Sequence, residues 1–297
     1  MNKPDFFVMV GLSASGKSTI AKDIAKENNC IVVSSDAIRG EICDGGVIDQ
    51  TKNEDVFKIF HQRIRDGLLS GNNVIADATN INMKARRSVL ENVKKIDCNK
   101  IAYIVPKSLD KCIEDNIYKD YPVPHHVIQK QMMNFQIPFL EEGFDEIKIH
   151  KFDKDFNITI TEIFDKMASY DQKNPHHTMS LQQHCAYTAI LFQGEYKKDF
   201  DEAAWIHDIG KLFTQKIDDD GVAHYYQHEN VGSYYLLSNF NNLDIEAESM
   251  LNMCFLINYH MMPMSWNNDK VKNTWKKRFG EYKYRLLLDF NECDKSR

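Results

Sequence analysis

The sequence predicts two domains of different fold class, an α/β domain followed by an all-α domain. Short β-rich runs alternate with helical stretches in the first half, as in a parallel sheet flanked by helices. A turn-prone polar segment follows at about residue 171, and only helical periodicities come after it. We therefore expect domains at residues 1–168 and 172–297, although the pattern of 156–167, a strand running into a helix, fits either side. The β-rich runs lie at 6–10, 31–34, 74–77, 101–105 and 147–150.

The composition is that of a soluble globular protein, with 43% hydrophobic and 27% charged residues among 297. A net charge of −6 argues against a broad surface coating nucleic acid, but it leaves room for a local basic site at a strand end. The absence of a long apolar stretch or a signal-peptide pattern predicts a cytoplasmic protein without a membrane partner. Seven cysteines without a C-x-x-C pair are expected to be reduced thiols.

Residues 11–18 match the phosphate-binding pattern G-x-x-x-x-G-K-[ST] directly after the first β-rich run. In such a loop the backbone N–H groups surround phosphate oxygens and the following helix presents its positive N-terminus. Lys17 is expected to neutralise the β- and γ-phosphates, and Ser18 to reach Mg²⁺. The sequence therefore predicts an ATP and Mg²⁺ site. The expected nucleotide contacts are Gly11, Ser13, Ala14, Ser15, Gly16, Lys17, Ser18 and Thr19.

Polar residues also follow the second and third β-rich runs, at the edge of the sheet where ligands of open α/β sheets bind. Asp36 follows the second run, where it could accept the proton of an attacking hydroxyl or simply cap a helix. Arg39, one helical turn later, could hold an anionic acceptor. Asp77 ends the third run and could orient a magnesium shell or make structural hydrogen bonds alone.

Together these motifs resemble the 5′-hydroxyl polynucleotide kinases over about residues 6–140. The resemblance implies that Lys17 and Ser18 hold ATP and Mg²⁺, that Asp36 is the general base toward a 5′-hydroxyl, and that Arg39 contacts the acceptor's phosphate. The motifs that carry it are Gly-x-x-x-x-Gly-Lys-Ser-Thr at 11–19, Asp-x-x-Arg at 36–39, Asp-Ala-Thr-Asn at 77–80 with Arg86 and Arg87 after it, and Pro-Val-Pro at 122–124 before Val127 and Ile128.

The lid segment departs from that family's pattern. The family carries an Arg-Asn-x-x-Arg run, whereas this chain has Asp115, Asn116 and, in the last position, Lys119. Lysine supplies a point charge without the bidentate fork of arginine. We therefore expect either weak kinase activity with Lys119 as the lid cation, or a contribution of charge from Arg86 or Arg87.

The second domain carries separated histidines and aspartates that suit a metal site. His184 comes first, His207 and Asp208 are adjacent and followed by Gly210 and Lys211, and Asp289 follows an apolar run. Imidazole nitrogens and carboxylate oxygens together suit borderline-hard divalent metals. This His…His-Asp…Asp pattern resembles the HD phosphohydrolase superfamily.

Residues 204–233 resemble in particular the HD domain attached to bacterial tRNA nucleotidyltransferases, whose implied chemistry is on 2′,3′-cyclic phosphates and phosphomonoesters. The resemblance implies one divalent transition metal, such as Mn²⁺, Ni²⁺ or Co²⁺, and Lys211 could offset charge on the phosphate. His228 and His260 would be further ligands or phosphate-binding groups, with a structural role equally open for His260. The implied ligands of the metal are His184, His207, Asp208 and Asp289. His125, His126, His176 and His177 match no motif and are expected at the surface.

The two halves together predict an RNA end-healing enzyme, a 5′-hydroxyl kinase joined to a 2′,3′-cyclic phosphodiesterase and 3′-phosphatase. Its partners would be RNA ends, those of tRNA among them, and an RNA ligase acting downstream. Two alternatives are open. One is a small-molecule or nucleotide kinase fused to a nucleotide phosphohydrolase, and the other is an ATP-sensing loop that regulates the hydrolase. The basic-aromatic cluster at 275–278 is either a solvated helix face or a contact for an RNA backbone. Nothing in the sequence indicates an oligomeric state.

Overall fold

A five-stranded parallel sheet forms the centre of the first half of the chain, in the order β2-β3-β1-β4-β5. The computed structural model describes residues 3–42, 52–119, 122–173, 179–194 and 196–295. The five predicted runs are confirmed to within two residues at each end. The strands are β1 (Asp5–Val10), β2 (Cys30–Ser34), β3 (Asn73–Asp77), β4 (Asn99–Ile104) and β5 (Glu146–Ile149).

Helices cover this sheet, and the central strands are accordingly apolar on both faces. Phe6 and Val74 on one face and Met9 and Ile75 on the other are fully buried, as expected for parallel strands between helical layers. The carboxyl ends of β1 to β4 lie at one edge of the sheet because the strands run parallel. The helices of this half are α1 (Lys17–Asn28), α2 (Ser35–Ile42), α3 (Asn53–Leu69), α4 (Met83–Val93), α5 (Leu109–Asn116) and α6 (His125–Met133).

The second half is mainly helical, as predicted. One antiparallel hairpin of two-residue strands, β6 (Lys216–Ile217) and β7 (Ala223–His224), departs from the expectation of helices alone. Strands this short show no alternation of apolar residues, so the sequence pattern does not reveal them. The helices are α7 (Ile160–Asp165), α8 (Leu181–Phe192), α9 (Lys198–Ala204), α10 (Lys211–Thr214), α11 (His228–Ser238), α12 (Ala247–Tyr259) and α13 (Asp269–Lys295). Helix α13 is interrupted at Gly280, whose φ is 72°.

The chain divides into two compact units at a different point from the expected 168–172 boundary. The first unit is Met1–Gln131 with Pro138–His150, and the second is Met132–Ile137 with Lys151–Arg297. Residues 151–159 contain no strand, and Asn242 holds them within the second unit. Its carbonyl accepts the Ile158 N–H at 3.0 Å and its side chain accepts the Asp155 N–H at 3.2 Å. The helical part of the 156–167 pattern is confirmed as α7, which begins at a capping box formed by Thr159 and Glu162.

Helix α8 of the second unit begins at a local polar cap. Ser180 and Gln183 form a capping box at the start of α8, which places His184 one turn into that helix. None of the helices in the described part of the chain has the length and apolar character needed to cross a membrane.

Candidate active site and metal centre

The phosphate loop connects β1 to α1 and is closed by hydrogen bonds of its own backbone. Ser15 N–H donates to the Leu12 carbonyl at 3.2 Å, and Gly11 N–H donates to Thr79 O at 3.0 Å, which ties the loop to the end of β3. Gly16 has a φ of 93°, a conformation that favours glycine. The loop is therefore shaped before any phosphate enters it.

Lys17 lies over this loop with only 7% of the residue exposed. Its Nζ donates to Leu12 O at 2.5 Å and lies 3.4 Å from Ser15 Oγ. Burial lowers the pKa of Lys17 to about 8, although the carboxylates of Asp77 and Asp36 oppose that shift. The lysine is thus a cation held in an apolar setting, where a phosphate group would stabilise its charge.

Ser18 and Asp77 meet at the carboxyl edge of the sheet. Ser18 Oγ donates to Asp77 Oδ2 at 2.7 Å, and the Asp77 residue is 4% exposed. A hydroxyl beside a buried carboxylate is the hard oxygen pair that Mg²⁺ prefers. The donor set therefore fits Mg²⁺, and these two residues are the ones that would hold it.

Asp36 and Arg39 both lie on α2 near this edge. Asp36 is exposed within the first turn, and Ser34 Oγ accepts the Ala37 N–H at 3.5 Å, so the helix is not capped by Asp36. Arg39 is partly buried, and its Nη1 has no hydrogen-bond partner among the described residues. A carboxylate open to solvent and a guanidinium with a donor to spare can receive a hydroxyl and an anion, respectively.

Arg86 does not supply the charge missing from the lid. It is fully buried, its Nε and Nη2 donate to Glu142 at 2.9 and 2.6 Å, and its Nη1 donates to Asn80 O at 3.2 Å. This bidentate pair neutralises the guanidinium inside the protein, so the expectation for Arg86 is corrected. Arg87 is exposed on α4.

The lid contains one ordered turn and an exposed lysine. Asn116 donates to Val123 O at 2.7 Å and accepts the Val123 N–H at 3.0 Å, which closes the segment between them. Lys119 is exposed, and its charge contributes to lowering the pKa of Lys17. Asn116 thus has a structural role, and a role for Lys119 as the lid cation stays a prediction. His125 and His126 are exposed, whereas His176 and His177 lie outside the described residues.

Lys107 is a basic residue at this edge that the sequence analysis missed. Its Nζ pairs with Asp115 and lies 4.0 Å from the position a Cβ would take on Gly16. Lys107 follows the end of β4 by three residues. The rule that placed Asp36 and Asp77 at the carboxyl edge, applied to the fourth strand, would have found it.

In the second unit, four histidines and two aspartates converge in the interior. His184 lies on α8, His228 begins α11, and Asp294 lies near the end of α13. His207 and Asp208 lie between α9 and α10, and His260 follows α12 directly. All six residues are at most 7% exposed. We call them the histidine-aspartate cluster.

The carboxylate of Asp208 lies between two groups of imidazoles. Its Oδ2 is 3.4 Å from His184 Nε2 and 3.6 Å from His207 Nε2. Its Oδ1 is 3.0 Å from His228 Nε2 and 3.6 Å from His260 Nε2. One carboxylate therefore faces both pairs of histidines, and His260 belongs to the cluster rather than to a remote structural position.

Three of the imidazoles are oriented by the same local contact. Nδ1 of His207, His228 and His260 lies 2.8 Å from the carbonyl oxygen three residues earlier in each case. A neutral imidazole that donates from Nδ1 keeps the lone pair of Nε2 available. In that tautomer, Nε2 of these three histidines and Oδ1 of Asp294 are buried acceptors that find no hydrogen-bond donor among the described residues, although they lie close to other acceptors. Buried acceptors aimed at one another fit a divalent cation.

Asp294, and not Asp289, is the last carboxylate of the cluster. Asp294 Oδ1 lies 2.9 Å from His184 Nε2 and 3.4 Å from His207 Nε2. Asp289 is exposed, and its carboxylate accepts a hydrogen bond from Tyr196 Oη. The five-residue separation places the two on different faces of α13, because 100° per residue turns them 140° apart. The expectation for Asp289 is corrected for this reason.

Lys211 lies inside the cluster and not at its rim. Its Nζ is 2.7 Å from Asp208 Oδ2 and donates to Gln172 Oε1 at 3.3 Å. Burial opposes ionisation of Asp208, but Lys211 and His207 hold its pKa well below the usual range. Burial likewise opposes charging of His207, but Cys185 and Asp208 raise its pKa well above the usual value. Metal binding requires neutral imidazoles, so a divalent cation would displace protons from this cluster.

Gly210 allows α11 to approach the His207–Asp208 segment. A Cβ on Gly210 would lie 1.9 Å from His228 O and 2.7 Å from the backbone nitrogen of Gly232. Only glycine permits this distance, which brings His228 to Asp208. The His-Asp-x-Gly spacing therefore has a packing reason in addition to its ligands.

A family model matches the first part of the chain. Residues 6–138 match the family model described as an AAA domain. The matched AAA domain stretch contains the phosphate loop, Asp36, Asp77, Lys107 and Lys119. Together with the parallel sheet and its flanking helices, the match fits a P-loop kinase fold. The second unit is helical, consistent with the expected fold class.

A curated relative of this chain is the L-seryl-tRNA(Sec) kinase of Methanococcus maripaludis, 26% identical over 166 residues, which are 53% of this chain. This chain spans 64% of that relative's length, less than two thirds. Among solved structures, a chain of the Pnkp1/Rnl/Hen1 RNA repair complex has a TM-score of 0.40 and 20% identity over 44% of this chain and 43% of its own. A fungal RNA kinase has a TM-score of 0.37 and 14% identity over 60% and 91%, respectively.

Proposed function

We propose that this protein is a bifunctional RNA end-healing enzyme. Its first unit would transfer the γ-phosphate of ATP to a 5′-hydroxyl end. Its second unit would hydrolyse a 2′,3′-cyclic phosphate and remove a 3′-phosphate. The observation that carries the proposal is the inward-facing Nε2 of His207, His228 and His260, in a chain that also pairs Ser18 with Asp77 beside a phosphate loop.

In the kinase step, the loop backbone and Lys17 would hold the β- and γ-phosphates of ATP. Asp36 would accept the proton of the 5′-hydroxyl as its oxygen attacks the γ-phosphorus, and ADP would leave with the electrons of the broken P–O bond. Arg39 would hold the acceptor's phosphate through its spare donor. Mg²⁺, held by Ser18 and Asp77, would neutralise charge on the phosphates.

Lys107 and Lys119 are the residues that would replace the lid arginines of the resembled family. Lys107 lies beside Gly16 and is paired with Asp115, whereas Lys119 is exposed. Because each offers only a point charge, we expect less stabilisation of the transferring phosphoryl group than an arginine gives. This part of the proposal predicts a slow kinase.

In the hydrolase step, His184, His207, Asp208 and Asp294 would hold a divalent transition metal such as Mn²⁺, Ni²⁺ or Co²⁺. Such a metal supplies Lewis-acid polarisation of the phosphoryl group and acidifies water. His228 and His260 would serve as further ligands or would bind the scissile phosphate, because both Nε2 atoms face Asp208 Oδ1. Lys211 would position the Asp208 carboxylate through their 2.7 Å contact.

The relative is named as a kinase of L-seryl-tRNA(Sec), so its acceptor is a seryl group carried by tRNA. That name supports an RNA-borne acceptor for this chain. The ends that these two reactions leave, a 5′-phosphate and a 3′-hydroxyl, are the substrates of an RNA ligase, which would act downstream. Reduced cysteines and an RNA substrate fit a cytoplasmic protein. The six described cysteines are all free thiols.

A small-molecule kinase fused to a nucleotide phosphohydrolase is the second candidate. The burial of Arg86 against Glu142 favours it, because this removes a basic side chain from the acceptor side. Competition distinguishes the two candidates. A free nucleoside should compete poorly with a 5′-hydroxyl oligonucleotide if strand ends are the substrate.

The decisive experiment uses one RNA oligomer with a 5′-hydroxyl and a 2′,3′-cyclic phosphate. The protein is incubated with it, ATP labelled in the γ-phosphate, Mg²⁺ and Mn²⁺, and both ends are resolved. Label at the 5′ end together with loss of the terminal phosphate supports end healing. Loss of the 3′ phosphate without 5′ label would support ATP sensing or a small-molecule acceptor. Hydrolase activity that changes with ATP in the absence of transfer would single out sensing.

A further inference from the structure

The first part of α13, residues 269–279, carries a basic surface in a chain of negative net charge. Five of its eleven residues are lysine or arginine and one is acidic, a local charge of +4 against −6 for the whole protein. We infer that this surface binds the phosphate backbone of single-stranded RNA that enters the second unit. The inference rests on the proposed function and names how the second unit retains its substrate. We call the surface, formed by Lys270, Lys272, Lys276, Lys277 and Arg278, the basic face.

Helical spacing puts Lys270, Lys276 and Lys277 on the outer side of α13, with Lys272 and the half-buried Arg278 at its two borders. Phe279 is fully buried, and Trp275 stacks on it at 5.2 Å between ring centroids. With 100° per residue, these two side chains and Val271 define the inner side, and the cations span the remaining arc. Lys270, Lys272 and Lys277 are exposed and make no ion pair within the described part of the chain. Asn273 and Thr274 lie between them and add polar groups.

Two contacts hold the end of the basic face in place. The Arg278 guanidinium lies over the Trp275 ring, with Cζ 4.7 Å from the centroid. Stacking of this kind fixes the plane of a guanidinium. Lys276 pairs with Glu281 at 2.7 Å. The basic face therefore combines three lysines that make no ion pair within the described residues with an arginine whose plane is fixed by stacking.

The apolar side of this helix is packed inside the protein, which argues against a membrane surface as its partner. An interfacial helix inserts its apolar face into lipid. Here that face is packed inward through Phe279 and the half-buried Trp275. The helix exposes charged, amide and hydroxyl groups to solvent. These complement a flexible chain of phosphates, whose counterions the lysines would displace.

The basic face is connected to the histidine-aspartate cluster through α13 itself. Beyond the interruption at Gly280 the helix continues to Asp294, whose carboxylate lies in that cluster. Fourteen residues at 1.5 Å each correspond to about 21 Å. An RNA end bound at the cluster would continue over the surface of this unit, where the basic face would contact its further phosphates.

The test compares three proteins for binding of a single-stranded RNA oligomer by fluorescence anisotropy between 50 and 200 mM salt. The first is the wild-type chain, and the second carries K270Q, K272Q and K277Q. The third is a control of equal charge change, K22Q, K58Q and K95Q, whose lysines are exposed on or beside α1, α3 and α4. We expect the α13 variant to bind more weakly. Its slope of log affinity against log salt should be smaller by about 2, or 0.7 for each lost phosphate contact. The control should bind like the wild type.

Hydrolysis of bis(p-nitrophenyl) phosphate with Mn²⁺ reports separately on the cluster, and the α13 variant should retain it. Unchanged RNA binding and salt slope in that variant, or equal losses in the control, would overturn the inference. The proposed function would survive that result if the wild type still heals both RNA ends. The inference would also be overturned if the wild type did not bind the RNA oligomer. The same holds if the α13 variant lost binding to anionic phospholipid vesicles but kept its binding to RNA.

Discussion

Oδ1 of Asp294 lies 2.9 Å from Nε2 of His184, and this contact connects the end of α13 to the first turns of α8. The two residues are 110 positions apart. In the sequence Asp289 is the more obvious candidate, because it directly follows an apolar run.

We expect D294N to lose Mn²⁺ binding, because it removes a buried charge that faces two imidazoles. D289N should retain it, since that carboxylate faces Tyr196. Titration with Mn²⁺ followed by electron paramagnetic resonance measures both variants. Equal loss in both would contradict the assignment.

The two activities should separate by mutation. Because Asp36 is exposed on α2 and belongs to the other unit from the cluster, D36A should lower phosphoryl transfer to a 5′-hydroxyl oligonucleotide by about 10²–10⁴-fold. Hydrolysis of a 2′,3′-cyclic phosphate should be unchanged. H207A should show the opposite result. Loss of both activities in either variant, with the protein still folded by circular dichroism, would argue against two independent sites.

Lys107 should matter more for phosphoryl transfer than Lys119. It lies beside the loop at Gly16, whereas Lys119 is exposed on the lid. We expect K107M to lower kcat more than about tenfold, which is less than the 10³–10⁵ of an arginine finger because lysine lacks the fork. K119M serves as the matched variant. A larger effect of K119M in steady-state assays would assign the charge to the lid instead.

ATP binding should take up protons near pH 8. Burial lowers the pKa of Lys17 to about 8, so about half of these side chains are neutral at that pH in the free protein. The phosphates favour the charged form and raise its pKa again, so affinity should fall as the pH rises above 8. Calorimetry at pH 8 in buffers of different ionisation enthalpy measures the uptake. At pH 6, where Lys17 is already charged, its uptake should vanish, and equal uptake at both pH values would contradict the assignment.

The same shift has a consequence for folding. The folded pKa of Lys17 lies below its usual 10.5, so the cost of burying the charge is fully present below pH 8. That cost is relieved as the pH rises from 8 toward 10.5. The contribution of Lys17 therefore increases stability over this interval, opposite in sign to its effect on ATP affinity.

G210A should disturb the cluster without touching a ligand. Its Cβ would meet His228 O at 1.9 Å, so α11 must move away from Asp208. We expect a loss of about 1–3 kcal/mol in unfolding free energy, together with weaker Mn²⁺ binding. G40A is the control, because nothing lies within 4 Å of its Cβ and alanine favours the helix. Thermal unfolding of both variants, with Mn²⁺ titration, gives the comparison. Unchanged values for G210A would show that α11 tolerates the displacement.

The local features of this protein were readable from sequence because neighbouring residues determine them. The strands around Phe6 and Val74 are continuous apolar runs, and the loop at Gly16 and Lys17 follows a fixed spacing. The capping pair Ser180 and Gln183 is also a local signal. The hydrogen bond between Ser18 and Asp77 follows from strand order, since parallel strands end at one edge.

Features that depend on distant partners were not readable in this way. Arg86 looks like a spare cation in sequence, and only Glu142, 56 positions later, shows that its charge is satisfied. The choice of Asp294 over Asp289 required knowing which side of α13 is buried, and Leu287, Phe290 and Asn291 mark that side. A helical wheel of 284–295 would have indicated the face. The inclusion of 151–168 in the second unit depends on contacts such as those of Asn242, which leave no local pattern.

The carbonyl contacts of His207, His228 and His260 give the histidine-aspartate cluster a property of its own. Each ring is tied to its own helix or turn, at 2.8 Å, by the nitrogen that does not face the centre. The orientation of the rings is thus a product of chain folding and does not wait for a cation to collect them. Removal of a bound metal by a chelator should then abolish the proposed hydrolase activity while leaving the fold intact, and returning the metal should restore the activity without refolding. Zinc fingers, which unfold when stripped of their ion, represent the opposite arrangement.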